Sequence, residues 1–157
     1  MAPTTTTQGR PATSEERTLE AWKAFVVADA HLLRELDEEL QREHGVALGD
    51  YDVLVNLANA PKRRLRMCDL ANQVLLSPSG ISRRVERLER EGLVRRERAA
   101  GDARNVEAQL TQAGTQLIRR LGRTHRAGIQ ARFGDHFSDG ELETLRDLLG
   151  RLLPDRG

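Results

Sequence analysis

Residues 65–111 read LRMCDLANQVLLSPSGISRRVERLEREGLVRRERAAGDARNVEAQLT, and changes of pattern inside this stretch decide the fold. From Met67 to Val74, the apolar residues Leu70, Ala71 and Val74 fall on one side of a short helix. Leu75-Leu76 turns the chain. Ser77-Pro78 then opens a second helix, because serine is a favoured N-cap and proline is pre-organised for the first helical position. Ile81, Val85 and Leu88 line one side of this helix, which runs from Pro78 to Glu91 and is closed by Gly92. Two short helices joined by a tight apolar turn form a helix-turn-helix pattern. Past Gly92 the period of the apolar residues drops from helical to two. Leu93–Arg98 and Asn105–Leu110 read as strands, with Ala99–Arg104 as a hairpin turn around Gly101-Asp102. A β-wing therefore follows the helix-turn-helix.

The flanks are helical. Thr13 and Glu16 have capping-box spacing, and Leu19, Trp22, Val26, Leu33, Leu36 and Leu40 continue an apolar stripe to a stop at Gly45. A second helix spans Leu48 to Ala60, with Tyr51, Leu54, Val55 and Leu57 facing inward and Pro61 ending it. Lys62–Arg66 is a basic connector with strand character. Thr111 caps a helix carrying Leu117, Ile118, Leu121, His125 and Ile129. Ser138 and Glu141 form a second capping box, with Phe137 and Leu142 placed as a hydrophobic staple. Leu142, Leu145, Leu148, Leu149, Leu152 and Leu153 then supply a terminal apolar face. The first and last helices present more apolar surface than one subunit can cover, which predicts a homodimer. The expected layout is a tail over 1–13 and one mainly α domain over 14–157. Within it, 48–111 is the winged helix-turn-helix, and 14–45 and 112–157 are dimerisation helices.

Composition narrows the function. The chain has 157 residues, about one domain. Its longest apolar run, Ala24–Ala28, is far shorter than the roughly 20 residues of a membrane-spanning helix. Met1–Pro11 lacks the apolar core of a secretory signal, so the expected location is the cytoplasm, with no membrane partner. The single cysteine, Cys68, makes no internal disulfide, and five aromatic residues are too few for a stacking platform on single-stranded nucleic acid. No phosphate loop, metal-ligand spacing, paired carboxylate or nucleophile motif points to an enzyme or to a cofactor.

Charge locates the partner. Residues 1–61 carry a net charge of −6, residues 62–104 a net of +6 and residues 105–157 a net of +1. A basic block of this kind is suited to a polyanion. With Ile81, Val85 and Leu88 inward, Ser79, Arg83, Arg87 and Arg90 face out. Arginine pairs bidentately with a guanine edge in the major groove, and serines at a helix N-terminus approach phosphates closely. The bland alternative is a solvated face with Glu86–Arg90 and Arg87–Glu91 ion pairs at i, i+4 spacing. On the wing, Arg104 suits a narrow minor groove, with Asp102 placed to fix its pose.

The run from Leu65 to Thr111 resembles the winged helix-turn-helix of the MarR family of bacterial transcriptional regulators. Its most specific parts are SPSGISRRVERLEREGLV, residues 77–94, and GDARNVEAQLT, residues 101–111. The resemblance implies a homodimer joined through the terminal helices, a palindromic double-stranded DNA operator, and repression relieved by a small-molecule inducer. By motif, Ser77, Ser79, Ser82, Arg83, Arg84 and Arg87 match recognition-helix positions, and Asp102 and Arg104 match the wing. Trp22, Phe25 and Tyr51 are candidates to line an inducer cavity, with ordinary core packing as the alternative.

Other branches place different demands on the chain. Redox-sensing members carry a reactive cysteine in the first helix, where this sequence has none. Zinc-sensing members use histidines and acids in regions comparable to His31, Glu43, His44 and His125, but no two histidines stand at i, i+4, and no metal site is assigned. A dimeric helical adaptor without DNA binding would suit an arginine-poor helix, the opposite of residues 78–91.

Overall fold

The computed structural model describes residues 12–74, 76–99 and 102–153, with the side chains of 99 and 102–105 outside that description. The expected tail, apart from its last two residues, therefore lies outside it, as does Leu75 of the apolar turn. The order is α1 (Ser14–His44), α2 (Leu48–Asn59), a short 3-10 turn, β1 (Arg64–Arg66), α3 (Met67–Gln73), α4 (Pro78–Arg90), β2 (Val94–Ala99), β3 (Asp102–Leu110), α5 (Gln112–Arg132), a second 3-10 turn and α6 (Asp139–Gly150). The three strands form an antiparallel sheet in the order β1-β3-β2. This is a mainly helical winged-helix architecture.

The caps fix the helix starts as the sequence predicts. Thr13 and Glu16 exchange both bonds of a capping box at α1, and Ser138 with Glu141 does the same at α6. Ser77 Oγ accepts from the Gly80 N–H, and Thr111 Oγ1 accepts from the Gly114 N–H. The core then closes around α2, α3, α4 and α5. Leu54, Leu57, Leu70, Ile81, Val85, Leu88, Val94, Ala108 and Leu121 are buried in one cluster.

Three sequence expectations need correction. Val53 of α2 is fully buried and Val55 only partly, so the inward face is rotated toward Val53. The strands reach further than expected: Ala99 pairs with Asp102, which leaves only residues 100–101 between them and puts Asp102 and Arg104 on β3 rather than in a long turn. Helix α6 ends at Gly150, before Leu152 and Leu153. The α1 stripe is only partly covered, as the sequence leads one to expect: Leu36 and Leu40 are buried, while Leu19, Trp22, Val26 and Leu33 are exposed.

The joint between α4 and the sheet is tight. Gly92 adopts a left-handed conformation, φ 73°, that a residue with a Cβ enters only with strain. The Leu93 carbonyl accepts from the Thr111 N–H at 3.1 Å, and the Thr111 hydroxyl donates to the Gly92 carbonyl at 2.7 Å. Gly114 lies so close to the Leu93 carbonyl oxygen that a Cβ there would overlap it. The Leu-Thr that ends the wing motif thus ties the wing root to the start of α5.

Candidate nucleic-acid interface

Helix α4 is amphipathic in the strict sense. Ile81, Val85 and Leu88 are buried, while Ser77, Ser79, Ser82, Arg83, Arg87 and Arg90 are exposed and Arg84 is half-buried. Its N-terminus is held by Ser77, whose hydroxyl also lies 3.2 Å from that of Ser79. Ser77 is thus occupied as the helix cap. Ser79, Ser82 and Arg83 face outward, and Arg83 has no carboxylate partner among the described residues.

The structure separates the arginines into two groups. Arg84 Nη1 donates to Asp50 Oδ1 at 3.2 Å, and Arg87 Nη2 donates to the same oxygen. Asp50, on the first turn of α2, is only 6% exposed. A buried carboxylate of this kind needs charged partners to offset its lost hydration, and here two arginines of α4 supply them. Arg87 therefore turns to Asp50 in place of the i, i+4 partner Glu91. Leu76, Gly80, Arg83, Arg84 and Arg87 line a cationic cleft of about 310 Å³ on this face. Nothing local in the sequence marks Asp50, whose partners lie 34 and 37 residues away.

A second carboxylate missed by the sequence reading is Glu89. Its Oε1 accepts from the Arg96 N–H at 2.8 Å and its Oε2 from Arg96 Nε at 2.7 Å. The backbone N–H is the largest influence holding the Glu89 carboxyl below its ordinary range. Across the sheet face away from α4, Gln109 Oε1 accepts from Arg95 and Arg64, and Arg64 also pairs with Glu107 at 3.5 Å. The backbones of Asp102 and Arg104 lie on β3, and the expected pose of the Arg104 side chain against Asp102 lies outside the described residues.

The inducer candidates do not converge. Trp22 and Phe25 are neighbours on α1, ring centroids 6.1 Å apart, whereas Tyr51 is buried in α2 against His125 of α5 at 4.9 Å. Phe25 lines a cavity of about 460 Å³ with Leu32, Phe133, Phe137, Leu145 and Leu149, and neither Trp22 nor Tyr51 reaches it. The histidines are also dispersed. His31 Nδ1 meets Arg34, His44 Nε2 meets Thr124 Oγ1 at 2.8 Å, and His125 packs on Tyr51. Among the described residues no three His, Cys, Asp or Glu side chains group as metal ligands. Cys68 is exposed at the start of α3, beside the Asp69 carboxylate.

Comparison with known proteins agrees with this geometry. The MarR family model matches residues 44–105, from the end of α1 to within β3. The HTH-type transcriptional regulator PecS of Dickeya dadantii (strain 3937) is 31% identical over 121 residues, covering 76% of this chain and 71% of PecS. The chain belongs to the MarR family. Members of this family are DNA-binding transcriptional regulators. Two MarR family structures from Streptomyces coelicolor are similar along almost the whole chain. AbsC is 32% identical with a TM-score of 0.80, covering 92% of this chain and 95% of AbsC. Sco3205, solved in complex with DNA, is 32% identical with a TM-score of 0.81, covering 96% of each chain. No helix among the described residues of this MarR protein is long and apolar enough to cross a membrane.

Proposed function

We propose that this regulator is a homodimeric repressor that binds a palindromic operator and is released by a small-molecule inducer. Helix α4 enters the major groove and the β2–β3 wing follows the backbone into the adjacent minor groove. The observation that carries this reading is the outward face of α4. Ser79, Ser82 and Arg83 remain exposed within the basic block, Ser79 bonded only to the neighbouring Ser77 hydroxyl, while Arg84 and Arg87 brace the helix on Asp50. Ser77, Ser79 and Ser82 approach phosphates, Arg83 reads a base edge, Arg87 keeps enough exposure to reach the backbone, and Asp102 orients Arg104 on the wing. The likeness to Sco3205, itself solved with DNA, supports a DNA partner. In this layout 48–111 is the reading domain, and the segments 14–45 and 112–157 join the two subunits.

The test is a competition series against the DNA flanking the protein's own coding region. Arg83→Ala should cost about 1 to 3 kcal/mol on the cognate operator and relax preference at one base pair per half-site. Unchanged affinity and preference would remove α4 as the reader.

A further inference from the structure

The β2–β3 ribbon loses its third strand beyond its root. Strand β1 supports it only where Arg64–Arg66 pairs with Gln109–Glu107. Beyond Glu97–Glu107 the wing is two strands, with an irregularity between Arg98 and Ala99. A two-stranded hairpin is marginal alone in water and does not hold its own direction. Its direction is therefore inherited from the root, where the Gly92–Leu93–Thr111 joint is one constraint and α4 supplies another.

Register shows where that constraint lies. Arg96 pairs with Ala108, which pairs with Leu65, so Arg96 is next to the last β2 residue with three strands behind it. On this face of the sheet Val94, Ala108 and Leu110 pack into the core, which turns Arg96 toward α4. There Glu89 takes two hydrogen bonds from the one residue, the Arg96 N–H on Oε1 at 2.8 Å and Nε on Oε2 at 2.7 Å, and Nη2 lies 2.7 Å from Oε2 as an ion pair. One carboxylate oxygen holds the guanidinium and the other holds the backbone N–H, so both the side chain and the strand are fixed by charge-assisted bonds. Both side chains are about one-third exposed, so the pair is neither a core element nor a loose surface contact.

We infer that Glu89 is a positioning residue for DNA binding, which locks the wing at the angle to α4 that lets one subunit engage a major groove and the adjacent minor groove together. The inference rests on the proposed groove assignments. Removing the lock leaves α4 and its Asp50 brace in place and frees the wing to sample other directions, so the wing contact loses its pre-organisation. Coulomb attraction alone predicts the opposite sign, since deleting a carboxylate from a DNA-facing surface strengthens binding to phosphate. The direction of the change therefore discriminates.

The experiment is a double-mutant cycle on the full-length protein with its operator, using Glu89→Gln, Arg96→Gln and Arg104→Ala. Each single variant is expected to weaken binding about tenfold, and Glu89→Gln combined with Arg104→Ala about tenfold again rather than a hundredfold, because both disable the same contact. Glu89→Gln should also lose discrimination between operators that differ only in the minor-groove flank while keeping that between operators altered under α4. Melting curves without DNA establish that the variants are folded. Unchanged or tighter binding by Glu89→Gln, or losses that multiply with Arg104→Ala, overturns the inference. So does unfolding of both Glu89→Gln and Arg96→Gln, which would make the pair a folding element. An Arg104→Ala variant that binds normally overturns the minor-groove assignment itself, and the inference with it.

Discussion

At the residue scale, two buried groups do more than their sequence neighbourhood suggests. Asp50 collects two arginines from α4, and its removal leaves both without their partner. Because Arg84 and Arg87 keep side-chain exposures of 25% and 45%, water takes up part of the loss. Asp50→Asn should therefore destabilise by about 1 to 3 kcal/mol rather than the larger cost of a sealed ion pair. Urea unfolding measures this, and operator affinity should fall with it although a negative charge has been deleted. His125 is the second such group. Its Nδ1 is buried without a hydrogen-bond partner, and burial pushes its pKa below the ordinary 6.5, against the opposing pull of Asp52 and Glu39. The unfolded chain then protonates His125 first, so stability is full above about pH 7 and is lost as pH falls through the depressed folded value. The melting temperature should drop as pH falls below the ordinary histidine value of 6.5, and His125→Gln should flatten that slope. Parallel curves for the two proteins would refute the assignment.

At the element scale, what was legible in the sequence and what was not divides by range. The capping boxes at Thr13 and Ser138, the Ser77-Pro78 start and the Ile81, Val85, Leu88 face are encoded within one or two turns, and all form as read. The grip of α4 on its surroundings is not encoded locally. Its partners are Asp50 on α2 and Arg96 on β2, and neither is marked by a periodicity or a spacing. The wing strands outrun their sequence signal for a related reason: Asp102-Ala103-Arg104 has the composition of a turn, and pairing across to Ala99 overrides it. The close approach of α5 to the wing root is likewise tertiary. It makes a prediction at Gly114, where an added methyl would overlap the Leu93 carbonyl, an oxygen already fixed by the Thr111 N–H. Gly114→Ala should cost about 1 to 3 kcal/mol in unfolding measurements, since the backbone around Leu93 must shift to admit it. An unchanged stability would show that the joint yields freely.

At the scale of the whole molecule, one subunit leaves a long apolar surface in water. Leu19, Trp22, Phe25, Val26, Val27 and Leu33 of α1 are exposed, with Leu148 on α6 and Leu152 and Leu153 just beyond it. Between these elements Phe25, Phe133, Phe137, Leu145 and Leu149 leave an apolar cavity open. An exposed patch on this scale marks an interaction surface, and in the proposed dimer a second copy covers it. By contrast, the C-terminal half of α1 is tied to α5 in the same subunit, where Arg132 pairs with Glu39 at 2.9 Å and Glu35 at 3.5 Å. The helix is thus anchored at one end and apolar at the other, which directs the dimer contact to residues before Leu36. Leu149→Glu would put a charge into the apolar cavity at no comparable cost to the separate core around α2–α5. Light scattering should then show dissociation at micromolar concentration with helix content retained, and operator affinity should fall because a single reader holds only one half-site. Inserting roughly five base pairs between the half-sites, about half a helical turn, should weaken the wild-type protein to the level of that variant and leave the variant itself unaffected. A Leu149→Glu protein that stays dimeric, or a wild-type protein indifferent to the insertion, would place the interface elsewhere than on α1 and α6.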